Sequence, residues 1–357
     1  MAACGPCERR SWLLERLSGH IEPVRGRLDA LLALPDGELI AAVGGRGRAA
    51  ITADYEAHGI AGLAGPAICR CDPAYPQGLH ELSAPPPVLY VLGGRGGPTA
   101  SEALGSAGAA AVAIVGTRRP TPHGLALAAA LGRGLRACGL PVVSGLAAGI
   151  DAAAHRGALE APAGPGPPTV AVVPGPADRA YPPAHAQLHR AILAAGGLVL
   201  SEVPPGGAVR RWRFLARNRT VAALVAATVV VEAGERSGAL VTARHARELG
   251  RILGAVPGRV TDRQAAGVNA LLRDGAAVIR GPQDVLDELF GSGARQTALE
   301  LRPPPGEAAQ RTLEAIAAGA DTPEALARAG YELGPLAELE LEGWVRRGPG
   351  GRIALIP

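Results

Sequence analysis

Six short runs of apolar residues, at 111–115, 141–143, 169–173, 197–200, 228–231 and 252–256, recur through the middle of the chain with alanine-rich segments of helical length between them. The runs do not alternate polar with apolar residues. A strand with one wet face must alternate, because successive side chains point to opposite sides, so a run that stays apolar is buried on both faces. Short doubly buried strands separated by helices predict a parallel sheet covered on both sides, an α/β domain. One more run, Val88 to Leu92, follows a proline-rich connector over 71–94 and adds a strand ahead of the repeating part.

The chain has 357 residues, 48% hydrophobic but only 3% aromatic. Its core is therefore built from Ala, Val and Leu, and its length exceeds what one core organises. Before the α/β region, short helical patterns carrying Trp12 to Leu14 with Leu17, then Leu28, Leu31 and Leu32, then Leu39, Ile40 and Val43 are separated by Gly or Pro. After a linker over 302–305, helical patterns at 310–317, 322–329 and 334–342 precede two short apolar-basic runs around Gly348-Pro349-Gly350-Gly351, the order of a winged helix. The expected division is a helical domain over 1–65, a sheet domain over 66–295 and a winged helix over 303–357.

All 36 Lys+Arg residues are arginine, which excludes Schiff-base lysine chemistry and the phosphate-binding loop that requires a lysine. A net charge of +4 is mildly basic, so any nucleic-acid site needs locally concentrated charge. No apolar stretch reaches the about 20 residues of a membrane span; the run over 220–231 is closed by Arg219 and Glu232. The first ten residues lack the apolar core of a signal peptide, and 5 cysteines make a poor disulfide framework, so a reducing cytoplasm is expected. Cys4-Gly-Pro-Cys7 and Cys69-Arg-Cys71 offer four thiolates to zinc, but the single residue inside the second pair is shorter than the usual two to four. The cysteines are accordingly read as ordinary thiols, with no metal and no cofactor.

Ligands of open α/β sheets bind at the carboxyl ends of the strands. The residues there are Gly116-Thr117-Arg118-Arg119, Ser144-Gly145 leading to Gly149, Pro174-Gly175, Ser201-Glu202, and Glu232 followed by Ser237-Gly238. This edge is small, polar and rich in glycine, and its backbone amides are candidates to hold phosphate oxygens. The densest charge is Arg210-Arg211-Trp212-Arg213-Phe214-Leu215-Ala216-Arg217-Asn218-Arg219. Guanidiniums pair with phosphates and aromatic faces stack on unpaired bases, so this mixture suits single-stranded nucleic acid; a charged surface helix is the alternative. Asp151 and His155, four residues apart on one helix face, suit an acid/base pair or, more simply, a capping Asp and a His bonded to a neighbour.

These motifs resemble the bacterial DNA-processing protein A family, also called Smf. The resemblance rests on Asp72-Pro73-Ala74-Tyr75-Pro76, Val115 to Arg119, Ser144 to Asp151 with His155, Phe214 to Arg219, Val231-Glu232-Ala233 with Ser237 to Ala243, Val256-Pro257-Gly258 and Gly267-Val268-Asn269. It covers most of the chain. It implies an extended Rossmann-like domain that binds single-stranded DNA without catalysis, forms a homodimer and helps load RecA during transformation and recombination. The DNA-binding residues so implied are Gly116, Thr117, Arg118, Arg119, Ser144, Gly145, Gly149, Arg211, Arg213, Phe214, Arg217, Asn218, Arg219, Ser237 and Gly238. The turn Gly175-Pro176 before Tyr181-Pro182 departs from the family, because Pro176 removes an amide donor. The rival readings are a nucleotide phosphoribohydrolase on a related scaffold, whose glycine-rich turn with a catalytic glutamate is missing here, and an adaptor for an acidic protein. The would-be recognition helix of the winged helix carries Glu338, Glu340 and Glu342, so a protein contact is expected of it rather than a major groove.

Overall fold

The computed structural model describes residues 3–58, 66–93, 111–162, 166–296, 305–341 and 344–355. It forms two compact units, Met1–Arg295 and Gln296–Pro357.

The first unit is organised by a sheet of β1 (Ala67–Cys69), β2 (Val88–Gly93), β3 (Val112–Val115), β4 (Val142–Ser144), β5 (Thr169–Val173), β6 (Leu198–Ser201), β7 (Ala227–Val230), β8 (Ile252–Ala255) and β9 (Ala277–Val278). The spatial order is β1-β2-β6-β5-β4-β3-β7-β8-β9. Pairs from β6 to β9 are parallel, while β1 and β2 join antiparallel at one edge. All six runs anticipated in the middle of the chain are strands, and β3, β4, β5, β6 and β7 are buried at every position. Two-sided burial is what their uniform apolarity demanded. On one face the Pro122–Ala137 and Ile150–Glu160 helices approach at backbone distance: a Cβ at Gly132 would fall 3.1 Å from the Ala158 nitrogen. Glycine and alanine at this contact put two helices close over the sheet.

The N-terminal helices Gly5–Arg16, Leu28–Ala33, Asp36–Val43 and Arg48–Ala57 enclose Leu13, Leu17, Ile21, Leu39 and Ile51, together with Trp212 from the Arg211–Ala223 helix. Trp212 is fully buried and its indole N–H donates to the Ser18 carbonyl at 3.1 Å. A side chain expected near nucleic acid is instead the keystone between the helical segment and the sheet region, which explains why both fall in one unit.

The cysteines also depart from expectation. Cys4 and Cys7 begin the first helix, Cys69 ends β1 and Cys71 lies in the turn beyond it, yet all four sulfurs lie within 4.8 Å of one another. The single-residue spacing is no obstacle, because the chain turns after β1, the Asp72 amide donating to the Cys69 carbonyl at 2.9 Å, and Cys71 returns to the other three sulfurs.

The second unit contains helices Glu307–Ala317, Pro323–Arg328 and Gly334–Leu341, then the antiparallel pair β10 (Val345–Arg347) and β11 (Ile353–Leu355). Its core gathers Ile316, Leu326, Leu336, Leu339, Val345 and Ile353. Thr322 caps the second helix by accepting from the Ala325 amide at 3.1 Å. Glu340 is bonded to Arg347 at 2.8 Å; Glu342 lies outside the described residues.

Candidate nucleic-acid interface

From β3 the chain adds β4, β5 and β6 on one side, then returns to add β7, β8 and β9 on the other. Strand order therefore reverses between β3 and β7, and the loops leaving their carboxyl ends diverge to open a crevice. A cavity of about 520 Å³ lies there. Its walls are Gly116, Thr117 and Arg118 after β3, Gly145 and Ala147 after β4, Phe214, Arg217 and Asn218 from the Arg211–Ala223 helix, Gly234 to Ala239 after β7, and Gln264. Nine of the sequence-derived candidates thus converge: Gly116, Thr117, Arg118, Gly145, Phe214, Arg217, Asn218, Ser237 and Gly238.

The rim is braced from inside. A Cβ on Gly116 would stand 2.6 Å from Ile150 Cγ1 and 2.9 Å from the Glu232 carbonyl oxygen, so only glycine lets the β3 loop pass. The Thr117 amide donates to the Glu232 carbonyl at 2.7 Å, and the Arg119 amide to Thr117 Oγ1 at 3.2 Å. The buried Asp151 carboxylate accepts from the Gly145 and Ala147 amides at 3.1 and 3.4 Å. These bonds narrow the expectation that strand-end amides hold phosphate: those of Thr117, Arg119 and Gly145 are already engaged. The start of the Ala239–Glu248 helix is turned to the crevice through Ser237, Gly238 and Ala239.

Arg217 forms the floor. It is 6% exposed, lies against Gly145 and donates from Nη1 to the Val172 carbonyl at 2.9 Å, while its Nε is buried with no partner. Burial pushes its pKa below the ordinary arginine value and the Asp151 charge opposes that; Asp151 is itself raised by burial, against the pull of Arg217. His155 is fully buried and its pKa falls to about 3, through burial first and the Arg217 charge second. Thr169 Oγ1 gives its proton to the Val142 carbonyl at 2.7 Å, so at 2.6 Å it accepts from His155 Nδ1–H. Asp151 and His155 are thus a loop brace and a neutral core histidine, with no proton to exchange.

Phe214 is half-buried between two partners. The Arg118 guanidinium stands 5.2 Å over its ring, and Tyr181 meets it edge-on at 5.4 Å and 71°. The pair Arg118–Phe214 presents charge and a π-face at one point of the rim.

Six expected residues do not line the crevice. Ser144 is fully buried and its hydroxyl donates to the Ile114 carbonyl at 2.6 Å. Arg213 is buried against Glu15 at 2.8 Å and stacks 3.9 Å over Trp212. Arg219 is buried against Glu202 at 2.8 Å and donates to the Ala84 carbonyl. Ser144 and Arg213 have no free surface for a ligand, and Arg219 turns instead to a separate cavity lined by Arg9, Arg10 and Asp36. Arg211 sits exposed in the first turn of its helix, and Arg119 is exposed beside Arg118 with its carbonyl accepting from Gln264 Nε2 at 3.1 Å. Gly149, at φ +87°, supports the β3 loop: a Cβ there would lie 2.8 Å from Pro120 Cδ. A helix packed on both sides turns most of an arginine-rich stretch inward, and only Phe214, Leu215, Arg217, Asn218 and Val221 of this one reach the crevice.

Sequence reasoning passed over Arg236 and Gln264 in the lining and Tyr181 behind Phe214. Arg236 obeys the same strand-end rule that selected Gly238; Gln264 follows no strand and carries no local signal. Glu232, the possible carboxylate of an enzyme, is held by Thr121, accepting from its amide at 2.9 Å and from its hydroxyl. No helix among the described residues is long and apolar enough to cross a membrane.

The structure resembles the crystal structure of DNA processing protein A from Streptococcus pneumoniae, with a TM-score of 0.61 and 32% identity over 79% of this chain and 96% of that one. It also resembles DNA processing protein A from Helicobacter pylori, described for its single-stranded DNA binding mode, at TM-score 0.51 and 33% identity over 60% and 92% of the two chains. In sequence, the DNA processing protein DprA of Mycobacterium tuberculosis is 44% identical over 247 residues, which span 65% of this chain and 61% of the relative. The aligned stretch is thus less than two thirds of that relative's length. Residues 66–290, which contain the whole crevice, match the model of a single family. The chain belongs to the DNA recombination-mediator protein A family.

Proposed function

We propose that this protein binds single-stranded DNA in the switch-point crevice, without catalysing a reaction on it, and acts as a cytoplasmic mediator that delivers the strand to RecA in recombination or transformation. The observation that carries the proposal is the convergence of Arg118, Arg217 and Arg236 with Phe214 at one open crevice. Guanidiniums there take phosphates, and the Arg118–Phe214 pair offers a base a stacking partner that is indifferent to sequence. The Helicobacter relative, described for its single-stranded DNA binding mode, matches 60% of this chain. In this reading the molecule works as a homodimer, and residues 303–357 form a winged helix that meets protein rather than duplex, since Glu338 and Glu340 occupy its third helix.

The engagement of Glu232 with Thr121 argues against a phosphoribohydrolase, whose carboxylate must be free to meet its substrate. A mobility shift with an oligo-dT probe at two salt concentrations, run beside an assay for mononucleotide cleavage, tests the proposal. Three phosphate contacts predict a log–log salt slope of about −2 for a single strand. Mononucleotide turnover, or binding indifferent to salt, overturns it.

A further inference from the structure

We propose that Cys4, Cys7, Cys69 and Cys71 form a structural zinc site that ties the first helix to the edge strand of the sheet. The four sulfurs lie within 4.8 Å of one another, and those of Cys7 and Cys71 are 3.7 Å apart. A tetrahedral zinc with bonds of about 2.3 Å sets its sulfurs about 3.8 Å apart, so this separation is close to one edge of the coordination shell. All four cysteines are free thiols.

Two local geometries create the cluster. Cys4 is the N-cap of the Gly5–Arg16 helix and Cys7 its third residue, positions whose side chains meet as they do in a capping box. Cys69 ends β1, and the turn closed by the Asp72 amide donating to the Cys69 carbonyl at 2.9 Å carries Cys71 back beside it. The Cys4 amide points to Cys69 Sγ at 3.5 Å, the kind of N–H···S bond that orients a metal thiolate. Ala3, Ala67, Val88 and Tyr90 pack as an apolar shell around the buried Cys7 and Cys69.

The chemistry of the donors selects the ion. Four thiolates exclude magnesium and calcium and favour zinc or iron–sulfur chemistry. The tight grouping suits one ion rather than a multi-iron cluster, whose cysteine sulfurs stand farther apart. With four protein ligands no position is left for water or substrate, so the site is structural. Its consequence reaches the nucleic-acid interface indirectly: the tethered helix carries Glu15, which holds Arg213 on the Arg211–Ala223 helix, and Ser11, which meets Tyr90 of β2 at 3.1 Å.

The test is elemental analysis of the full-length protein purified under reducing conditions without chelator. One zinc per chain is expected, released on titration with an organomercurial that blocks thiols. The Cys69→Ser/Cys71→Ser variant should lose the zinc while Cys138→Ser keeps it, and a chelator strong enough to strip the ion should lower the unfolding midpoint of the native protein by several degrees. If the double variant does not fold, cobalt loaded into the native chain gives the second reading: intense visible d–d bands mark a tetrahedral thiolate site. Chains purified with no metal, with iron in place of zinc, or with the four cysteines paired as disulfides would overturn the assignment.

Discussion

Arg213 and Arg217 stand one helical turn apart and are both buried, yet they do opposite things. Arg213 faces the N-terminal helices, where Glu15 neutralises it and Trp212 stacks beneath it. Arg217 faces the crevice, with one carbonyl as acceptor and, among the described residues, no direct ion pair. The lesson is that arginines in a sequence do not count as charge in a groove. Of the five in the 210–219 stretch, Arg213 and Arg219 hold the fold together through carboxylates and Arg217 alone reaches the crevice floor. The remaining guanidiniums of the crevice come from loops far away in sequence, Arg118 after β3 and Arg236 after β7.

The sharpest way to break this comparison is to remove a fold-holding arginine. Arg219→Leu leaves Glu202 buried with its charge unmatched, since both side chains are less than a tenth exposed. Such a loss costs about 3–5 kcal/mol. Urea unfolding should show it in full, while the protein that remains folded keeps its oligo-dT affinity; a large loss of affinity with no loss of stability would place Arg219 in the interface instead.

His155 tests the crevice side of the comparison through pH. Its pKa in the folded chain is about 3, against about 6.5 when unfolded. As pH falls below 6.5 the unfolded chain takes up a proton that the folded chain cannot, so stability declines continuously toward pH 3. The histidine's share between pH 6.5 and 5 is about 1.6 kcal/mol. Acidic groups add their own slope, but His155→Gln should flatten the measured dependence by about that amount. An unchanged slope would mean that the imidazole is solvated, and with it the floor on which Arg217 rests.

How much of this was legible before the fold was known depends on how far each residue's environment is local. The doubly buried strands announced themselves because two-sided burial leaves one composition. β1 and β9, of 3 and 2 residues, are edge strands too short to leave a pattern. Gly116 and Gly238 were found because a strand end is a place in the sequence as well as in space. Trp212, Arg213 and Arg219 were misread because their partners, Ser18, Glu15 and Glu202, lie across the fold, and nothing in 210–219 says which helix face the N-terminal segment will cover. The clustering of the four cysteines was passed over for a different reason: a spacing rule says nothing of the turn after β1 that brings Cys71 back beside Cys69, nor of the packing that sets both against Cys4 and Cys7.

The smallest effects separate the two exposed arginines of the rim. Arg118 contributes both a charge and the cation over Phe214, whereas Arg236 contributes a charge beside Glu235 and has no aromatic partner. Arg118→Ala should therefore weaken oligo-dT binding about tenfold, the scale of a lost charge-assisted hydrogen bond together with a disturbed stacking site. Arg236→Ala should cost only about threefold, because a solvated guanidinium next to a carboxylate loses part of its attraction to that neighbour. Each change should make the salt slope shallower by about 0.7, since each removes one phosphate contact. The stacking share, by contrast, is insensitive to salt. At high salt the Arg236 variant should approach the wild type while the Arg118 variant stays weaker, and fluorescence anisotropy over a salt series reads the two apart. If both variants converge on the wild type, the ring of Phe214 takes no base, and the crevice grips the strand by its backbone alone.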